Sequence, residues 1–355
     1  MTEILLALFF ISVLLFFLGS GIWVAISMVG VSSIGMILFT SRPVGDAMAT
    51  TIWGASSSWT LTALPLFVWM GEILFRTKLS ENLFEGLAPW LQKLPGGLIH
   101  VNVVGCALFA AISGSSAATV ATVGKMSIPE LRKRKYPEKI LLGSLAGSGT
   151  LGLLIPPSII LIIYGVTVQE SIAKLFIAGI IPGIMIALIF MGYVIVWSLL
   201  NRNKMPSSYE NFSFLNKLSK SKQLFPVILL IVSVIGSIYS GVATATEAAS
   251  LGVVGALILS YFQKSLTLKT FKESLLGATK TSCMIAFILA GATFLSLAMG
   301  FTGLPRNLAL WIQNMELSPY VLIFVLMIFY IILGMFLDGI SAVVLTMAII
   351  EPMIR

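Results

Sequence analysis

Charge and cysteine are both scarce in this chain of 355 residues. Only 10% of the residues are charged, whereas 58% are hydrophobic. A soluble domain of this length needs a charged surface around its core, so the composition excludes that class and indicates an all-α polytopic membrane protein. The two cysteines, Cys106 and Cys283, lie inside apolar runs, which argues against a disulfide framework and favours a packing role.

The residue patterns of metal, nucleotide and redox sites are also missing. His100 is the only histidine, and the sequence has no histidine and cysteine cluster, phosphate-binding loop or dinucleotide fingerprint. We therefore expect no cofactor and no enzymatic activity. The first apolar run, residues 4–18, lacks the basic leading region and the cleavage site of a signal peptide, so we interpret it as a retained span.

The net charge of +8 is distributed as membrane topology requires, and nucleic acid binding does not explain it. Basic residues cluster in four connections, at residues 76–93, 125–139, 202–222 and 264–280, which the positive-inside rule assigns to the cytoplasm. We interpret residues 201–222 as a solvated cytoplasmic linker. A basic amphipathic segment that binds a partner is the alternative for the same stretch.

The most informative segment is Gly-Ser-Gly-Thr-Leu-Gly-Leu-Leu-Ile-Pro-Pro-Ser at residues 147–158, inside an apolar run that covers residues 140–165. Proline and glycine interrupt a helix, and lipid offers the freed backbone groups no replacement partner. The opened backbone must therefore face protein or a polar cavity. Discontinuous helices at this depth are typical of secondary transporters, where unwound carbonyls bind the coupling ion and helix ends bind the substrate.

Two apolar segments connect loops that the charge rule places on one side of the membrane, and we predict that they are re-entrant hairpins. They cover residues 101–122 and 321–350, with small polar residues at tips 113–119 and 338–341. The remaining apolar runs predict spans near residues 3–19, 21–40, 54–75, 140–165, 172–199, 224–241, 244–262 and 281–302.

The two halves of the chain share landmarks in the same order. Gly19 and Gly30 correspond to Gly241 and Gly252 at one constant offset, and a hairpin follows in each half. We predict an inverted-topology repeat with a first unit at residues 1–200, which holds a hairpin near 98–125 and the broken helix at 140–165. The linker at 201–222 precedes a second unit at 223–355.

Several motifs in this order resemble the large membrane subunit of tripartite ATP-independent periplasmic (TRAP) transporters, in the ion-transporter superfamily. They are Ala-Leu-Pro-Leu-Phe-Val at 63–68 with Met-Gly-Glu at 70–72, the 113–119 tip, Leu-Ile-Pro-Pro-Ser at 154–158, Thr-Glu-Ala-Ala at 246–249 and Leu-Asp-Gly-Ile-Ser at 337–341. The resemblance implies sodium-driven uptake of an organic acid across the bacterial inner membrane by an elevator motion. It also implies an extracytoplasmic solute-binding protein and a small four-helix membrane subunit as partners.

Relative to that family, the chain stops at Arg355, after the second hairpin. We therefore expect that the second repeat is incomplete and that residues 1–355 alone do not transport.

The residue types at the first tip and the broken helix predict a sodium site, because hydroxyl and peptide oxygens bind a hard cation and glycine lets the backbone approach closely. The candidate ligands in the first half-site are Ser113, Gly114, Ser115, Ser116, Gly149, Thr150 and Gly152; those in a second half-site are Asp338, Gly339 and Ser341; and Pro156, Pro157 and Ser158 are candidates for substrate contact. Close helix packing is the alternative explanation of these small residues.

Two acidic residues near apolar spans have structural interpretations. Glu247 follows Thr244 at a helix start, which predicts a capping role, and Glu72 precedes Arg76 by one turn, which predicts a local ion pair.

Two other functions remain open at this point: a passive channel, and an intramembrane serine protease with His100 as the base. The second requires contact between His100 and the serines of the first hairpin tip.

Overall fold

The computed structural model of this chain describes residues 3–76, 79–206, 213–222, 224–315, 318–335 and 339–354, which are helical with no strand among them. The α-helices are α1 Glu3–Gly19, α2 Val24–Phe39, α3 Val44–Ser56, α4 Ala63–Phe75, α5 Leu79–Leu91, α6 Ile99–Ser113, α7 Ser116–Lys133, α8 Glu138–Gly149, α9 Ile159–Val168, α10 Ile172–Leu200, α11 Phe214–Ser221, α12 Phe225–Tyr239, α13 Ala245–Phe262, α14 Leu268–Thr302, α15 Leu304–Gln313, α16 Pro319–Gly334 and α17 Gly339–Ile354. Short 3-10 helices cover Trp59–Thr62, Thr150–Leu153 and Arg202–Lys204. The all-α prediction is confirmed.

Helix length and apolarity identify membrane spans within the described residues. Three helices, α10, α13 and α14, are long and apolar enough to cross a membrane, and the number rises to five if two bent helix pairs each form one span. Helices α1, α2, α6, α9 and α16 are apolar but shorter. The chain is therefore a multi-pass membrane protein.

One sequence prediction about helix bounds is wrong in detail. The span predicted at residues 54–75 is not one helix, because α3 ends at Ser56 and α4 begins at Ala63. Three consecutive serines at residues 56–58 explain the break, since serine hydroxyls compete with the helix for backbone hydrogen bonds. The segment at residues 201–222 contains the short helix α11, and its role as a cytoplasmic linker stays a prediction.

The chain divides into two compact units, each of which takes segments from both predicted repeats. The first comprises Met1–Leu61, Ile163–Glu170 and Ser282–Arg355, and the second comprises Thr62–Ile162 and Ser171–Thr281. The two predicted repeats and their inverted orientation stay a prediction. The first hairpin, α6–α7, lies in the second unit, together with the break before α9.

Close packing in the first unit depends on glycine. A Cβ atom on Gly291 of α14 would lie 2.8 Å from the carbonyl oxygen of Ala25 in α2, so only glycine permits this approach of the two backbones. The side chain of Phe10 from α1 packs against Gly35 of α2 in the same way. Met36, Phe294 and Ala298 form a buried cluster beside these contacts.

In the second unit, the apolar core surrounds the first hairpin. Its buried residues include Phe109 on α6, Leu131 on α7, and Leu141 and Leu145 on α8. Because the core lies against the sides of α6 and α7, it holds the hairpin as a rigid element and leaves its tip to contact the broken helix.

Charged groups join α4 to α14 in the same unit. Arg76 donates to Glu72, one turn earlier, at 3.2 Å, and to Glu273 on α14 at 3.0 Å. A Cβ atom at Gly277 would lie 2.6 Å from a carboxylate oxygen of Glu72, so a glycine at this position admits the acid. The predicted Glu72–Arg76 pair is therefore confirmed, and the structure adds a third member from a distant part of the sequence.

The capping role predicted for Glu247 is confirmed. Its backbone amide donates to the hydroxyl of Thr244, while its carboxylate accepts from the amide of Thr244 at 2.8 Å. This reciprocal pair satisfies the first amides of α13.

Candidate functional site

A tight turn forms the tip of the first hairpin. Helix α6 ends at Ser113, and Gly114 follows in the left-handed region with φ of +58°, where its amide donates to the carbonyl of Ala110. Only glycine adopts this conformation without a steric cost. Ser115 then caps α7 by accepting from the amide of Ala118 at 3.4 Å.

Three oxygen atoms converge inside this tip. The hydroxyls of Ser113 and Thr119 lie 3.0 Å apart, and the carbonyl oxygen of Ser115 lies 3.3 Å from the first and 2.7 Å from the second. Both side chains are buried, at 4% and 0% exposure. The triangle contains three acceptor oxygens but only two hydroxyl protons. Lone pairs on these oxygens are therefore left to accept a further partner. Thr119 thus joins the candidate site, although the ligands predicted from the sequence of this tip did not include it.

The broken helix passes beside this tip. After α8 and the 3-10 turn, residues 154–158 are non-helical, and the peptide bond between Pro156 and Pro157 is cis. The hydroxyl of Ser158, which is fully buried, donates to the carbonyl of Leu153 at 2.5 Å. The segment therefore satisfies part of its own backbone with a side chain, which a membrane interior requires.

The tip and the break touch through their backbones. A Cβ atom on Gly152 would lie 2.9 Å from the carbonyl carbon and oxygen of Ser115 and 3.0 Å from the amide nitrogen of Ser116. A Cβ atom on Gly114 would lie 2.8 Å from the carbonyl oxygen of Pro157. The amide of Ile159 also donates to the carbonyl of Gly114 at 3.4 Å. These contacts bring most of the predicted ligands into one place.

Glycines on α4 and α10 also pack closely against the hairpin tip and the broken helix. Gly71 of α4 lies against Ser113, because its Cβ would be 2.9 Å from Ser113 Cα. Gly179 and Gly183 of α10 lie against the break. A Cβ atom on Gly179 would lie 2.8 Å from the carbonyl oxygen of Leu154, and one on Gly183 would lie 2.9 Å from Ile155 Cγ1. The Gly-x-x-x-Gly spacing on α10 is the sequence signal that identifies such a packing face.

Helix α8 is also fixed to the hairpin by polar groups. The side-chain amide of Asn102 on α6 donates to the carbonyl of Leu141 at 3.2 Å and to the hydroxyl of Ser144 at 3.0 Å. Asn102 is fully buried.

Outside the core, an exposed ion pair joins the end of α7 to the start of α8. Arg132 donates to both carboxylate oxygens of Glu138 and lowers the pKa of that carboxyl.

Two helix N-termini lie next to each other at this contact. Helix α7 begins at Ser116 and α9 at Ile159, and Gly114 touches the start of both. The structure gives the amides of Ile160 and Leu161 no hydrogen-bond partner among its described residues. Because helix N-termini carry partial positive charge and free N–H groups, this region attracts an anion. No ionisable side chain occurs in residues 113–119 or 147–161, so the backbone supplies the local field.

The remaining predicted ligands are placed as follows. Gly149 packs against the side chain of Val120 on α7, whereas Thr150 is exposed and its hydroxyl donates to the carbonyl of Gly147 at 2.7 Å. In the other unit, Gly339 begins α17 and Ser341 is buried at 1% exposure. Asp338 lies outside the described residues.

His100 makes a structural contact and lies far from the tip serines. Its Nε2 atom lies 2.8 Å from the carbonyl oxygen of Pro95, at the start of α6. Ser113 lies at the other end of that helix, roughly 20 Å away at 1.5 Å per residue. The dyad that an intramembrane serine protease requires is therefore absent from this hairpin.

Comparison with known protein families matches residues 10–355 to the DctM component of the tripartite ATP-independent periplasmic transporter. The C4-dicarboxylate TRAP transporter large permease protein of Pseudomonas aeruginosa is 33% identical over 320 residues, which cover 90% of this chain and 74% of that protein. The sialic acid TRAP transporter large permease protein of Vibrio cholerae is 31% identical over 336 residues, with 94% and 77% coverage. The 2,3-diketo-L-gulonate TRAP transporter large permease protein of Escherichia coli is 32% identical over 314 residues, with 87% and 72% coverage.

Proposed function

This chain belongs to the DctM family of tripartite ATP-independent periplasmic transporters, and we propose that it imports an organic acid together with sodium. It is a transporter subunit and not an enzyme, since its relatives are named as permeases. Those relatives are named for C4-dicarboxylate, sialic acid and 2,3-diketo-L-gulonate, which supports an organic acid as the substrate class. An extracytoplasmic solute-binding protein, a small four-helix membrane subunit, a location in the bacterial inner membrane and an elevator motion belong to the same proposal.

The observation that carries the proposal is the backbone contact between the hairpin tip and the break before α9. The N-termini of α7 and α9 meet there, and the amides of Ile160 and Leu161 are available. A carboxylate near these groups gains hydrogen bonds and a favourable dipole field. Pro156, Pro157 and Ser158 then set the position of α9 by their packing, which is how we expect them to act on the substrate.

The oxygen triangle of Ser113, Ser115 and Thr119 supports sodium as the coupling ion. Hydroxyl and carbonyl oxygens suit a hard cation, and a monovalent ion needs no carboxylate to balance its charge. The two hydroxyl protons can turn away from the triangle when a cation enters. We therefore propose that the ion binds at the tip and thereby orders the two helix ends that face the substrate.

Two neighbouring threonines on α7 provide a matched test. Thr119 and Thr122 are buried at 0% and 2% exposure, but Thr119 belongs to the triangle, whereas the hydroxyl of Thr122 has no hydrogen-bond partner among the described residues. We expect Thr119→Val to weaken the binding of radioactive sodium to the purified chain at least about tenfold, and Thr122→Val to leave it unchanged. Equal sodium affinity in both variants would contradict the assignment of the triangle.

A second measurement separates coupled transport from the passive channel. In proteoliposomes that hold the complete transporter, we expect uptake of the organic acid to require an inward sodium gradient and the binding protein. Uptake that follows only the gradient of the acid itself would support a channel instead.

A further inference from the structure

The segment between the two predicted repeats carries a surface that the transport site does not use. It consists of Lys217, Lys220 and Lys222 on and directly after α11, with Trp90 at the end of α5, and we call it the lysine–tryptophan surface. Residues 213–222 contain no acidic side chain. The surface therefore carries positive charge, and Lys93, which is exposed three residues after Trp90, adds to it.

Contacts with α5 hold α11 in a defined place. The indole Nε1 atom of Trp90 donates to the hydroxyl of Ser221 at 2.7 Å, and the ammonium group of Lys217 lies 5.4 Å from the centroid of the indole ring. The ring of Phe214 packs edge-on against Trp90 at 6.3 Å between centroids. After α11, the side chain of Leu224 lies against Gly86 of α5. The helix is thus docked and not a free linker.

Helix α11 has an apolar side that is largely exposed. Leu215 is 75% exposed and Leu218 is 50% exposed, and Phe214 beside them is 66% exposed. The axes of α11 and α12 differ by 54°. A helix of eight residues with two lysines does not suit the hydrocarbon core, but an apolar side with flanking lysines suits the boundary between headgroups and acyl chains.

We propose that the lysine–tryptophan surface binds anionic phospholipid at the membrane surface. In this arrangement, Leu215 and Leu218 enter the acyl region while the lysines reach the phosphates. Charge complementarity selects this occupant, because a neutral lipid would fill the apolar side equally well but would not use three lysines within six residues. The nearby acids in the sequence are Glu81 and Glu85, on α5 before Trp90, and Glu210, before α11; Glu85 is exposed.

Attraction of this kind has a characteristic size. Each lysine near an anionic surface strengthens binding about fivefold, and the effect is screened by salt within about 10 Å. Removal of all three lysines therefore abolishes most of the preference for anionic over neutral lipid. The apolar contact of Leu215 and Leu218 remains, so the helix stays at the membrane.

The experiment uses the full chain with a fluorescent bimane probe at Leu218→Cys. Cys283 is exposed and is replaced by alanine, while Cys106 is fully buried and stays. The protein is reconstituted in phosphatidylcholine vesicles that contain brominated phosphatidylglycerol or brominated phosphatidylcholine at equal mole fraction. Bromine quenches bimane on contact, so the ratio of the two signals measures local enrichment of the anionic lipid.

We expect several-fold stronger quenching by brominated phosphatidylglycerol, and a ratio near one after Lys217, Lys220 and Lys222 are changed to glutamine. High salt lowers the ratio of the unchanged protein without any substitution. The matched control changes Lys264, Lys269 and Lys272, which are exposed lysines of another basic connection, to glutamine and keeps the ratio. Equal quenching by both lipids overturns the proposal. Loss of quenching by both lipids when the small membrane subunit is added also overturns the proposal, because a protein then covers α11.

Discussion

Gly152 is the position where a single methyl group most directly tests the contact between hairpin tip and broken helix. In Gly152→Ala the new Cβ would lie 2.9 Å from the carbonyl carbon and oxygen of Ser115 and 3.0 Å from the amide nitrogen of Ser116. Ordinary van der Waals contact begins at 3.4 Å. All three atoms belong to the backbone, so no side-chain rotation relieves the overlap, and the tip must move away by about half an ångström.

The free-energy cost of this displacement is estimated from other cases in which a methyl group is added to a well-packed interior. Extra methyl groups in well-packed interiors cost about 1–3 kcal/mol when the backbone must shift. We expect this cost to appear as a lower thermal unfolding temperature and as sodium affinity reduced about tenfold, since 1.4 kcal/mol corresponds to a factor of ten. Gly143→Ala is the matched control on α8, because a Cβ at that position meets no atom within 4 Å.

The assay measures unfolding by tryptophan fluorescence, in sodium chloride and in choline chloride, and binding of radioactive sodium to the purified protein. Gly143→Ala should match the unchanged protein or exceed its stability by about 0.5–1 kcal/mol, because alanine favours the helix. If Gly152→Ala unfolded and bound sodium as the unchanged protein does, the backbone contact would have no role in the site and the reasoning would fail.

Four further substitutions are expected to have distinct effects. Ser116→Ala removes the hydroxyl of a predicted ligand at the start of α7 and should weaken sodium binding, so unchanged sodium affinity would remove Ser116 from the ligand set. Arg76→Gln breaks two partly exposed ion pairs, one with Glu72 in the preceding turn and one with Glu273 on α14, and should lower stability by roughly 1 kcal/mol. Arg132→Gln, in an exposed pair, should leave the unfolding temperature unchanged, and equal effects would contradict this difference. Asn102→Leu removes two buried hydrogen bonds between α6 and α8 and should cost about 2 kcal/mol, so unfolding at the unchanged temperature would show that these bonds contribute nothing.

Some parts of the site could be predicted because their cause is local. The glycines and prolines of residues 147–158 interrupt a helix wherever they occur, and the small polar tip at residues 113–119 ends one helix and starts another. The capping residue Glu247 belongs to the same group, since its partner Thr244 lies in the same turn. Other parts depend on residues far apart in sequence. The bond from Arg76 to Glu273 joins groups separated by 197 positions, and no local pattern indicates it.

Sequence alone determined the membrane class, the helical architecture, the break before α9 and the membership suggested by ordered motifs, because hydropathy and backbone chemistry act over a few neighbouring residues. Only the tertiary structure decided which oxygens converge and which glycines bring backbones together. It joined Thr119 to Ser113, paired the hydroxyl of Thr150 with the carbonyl of Gly147, and assigned Gly179 and Gly183 to the support of the break. The physical reason is that a ligand set depends on distances of a few tenths of an ångström between segments, and packing of the whole unit sets those distances.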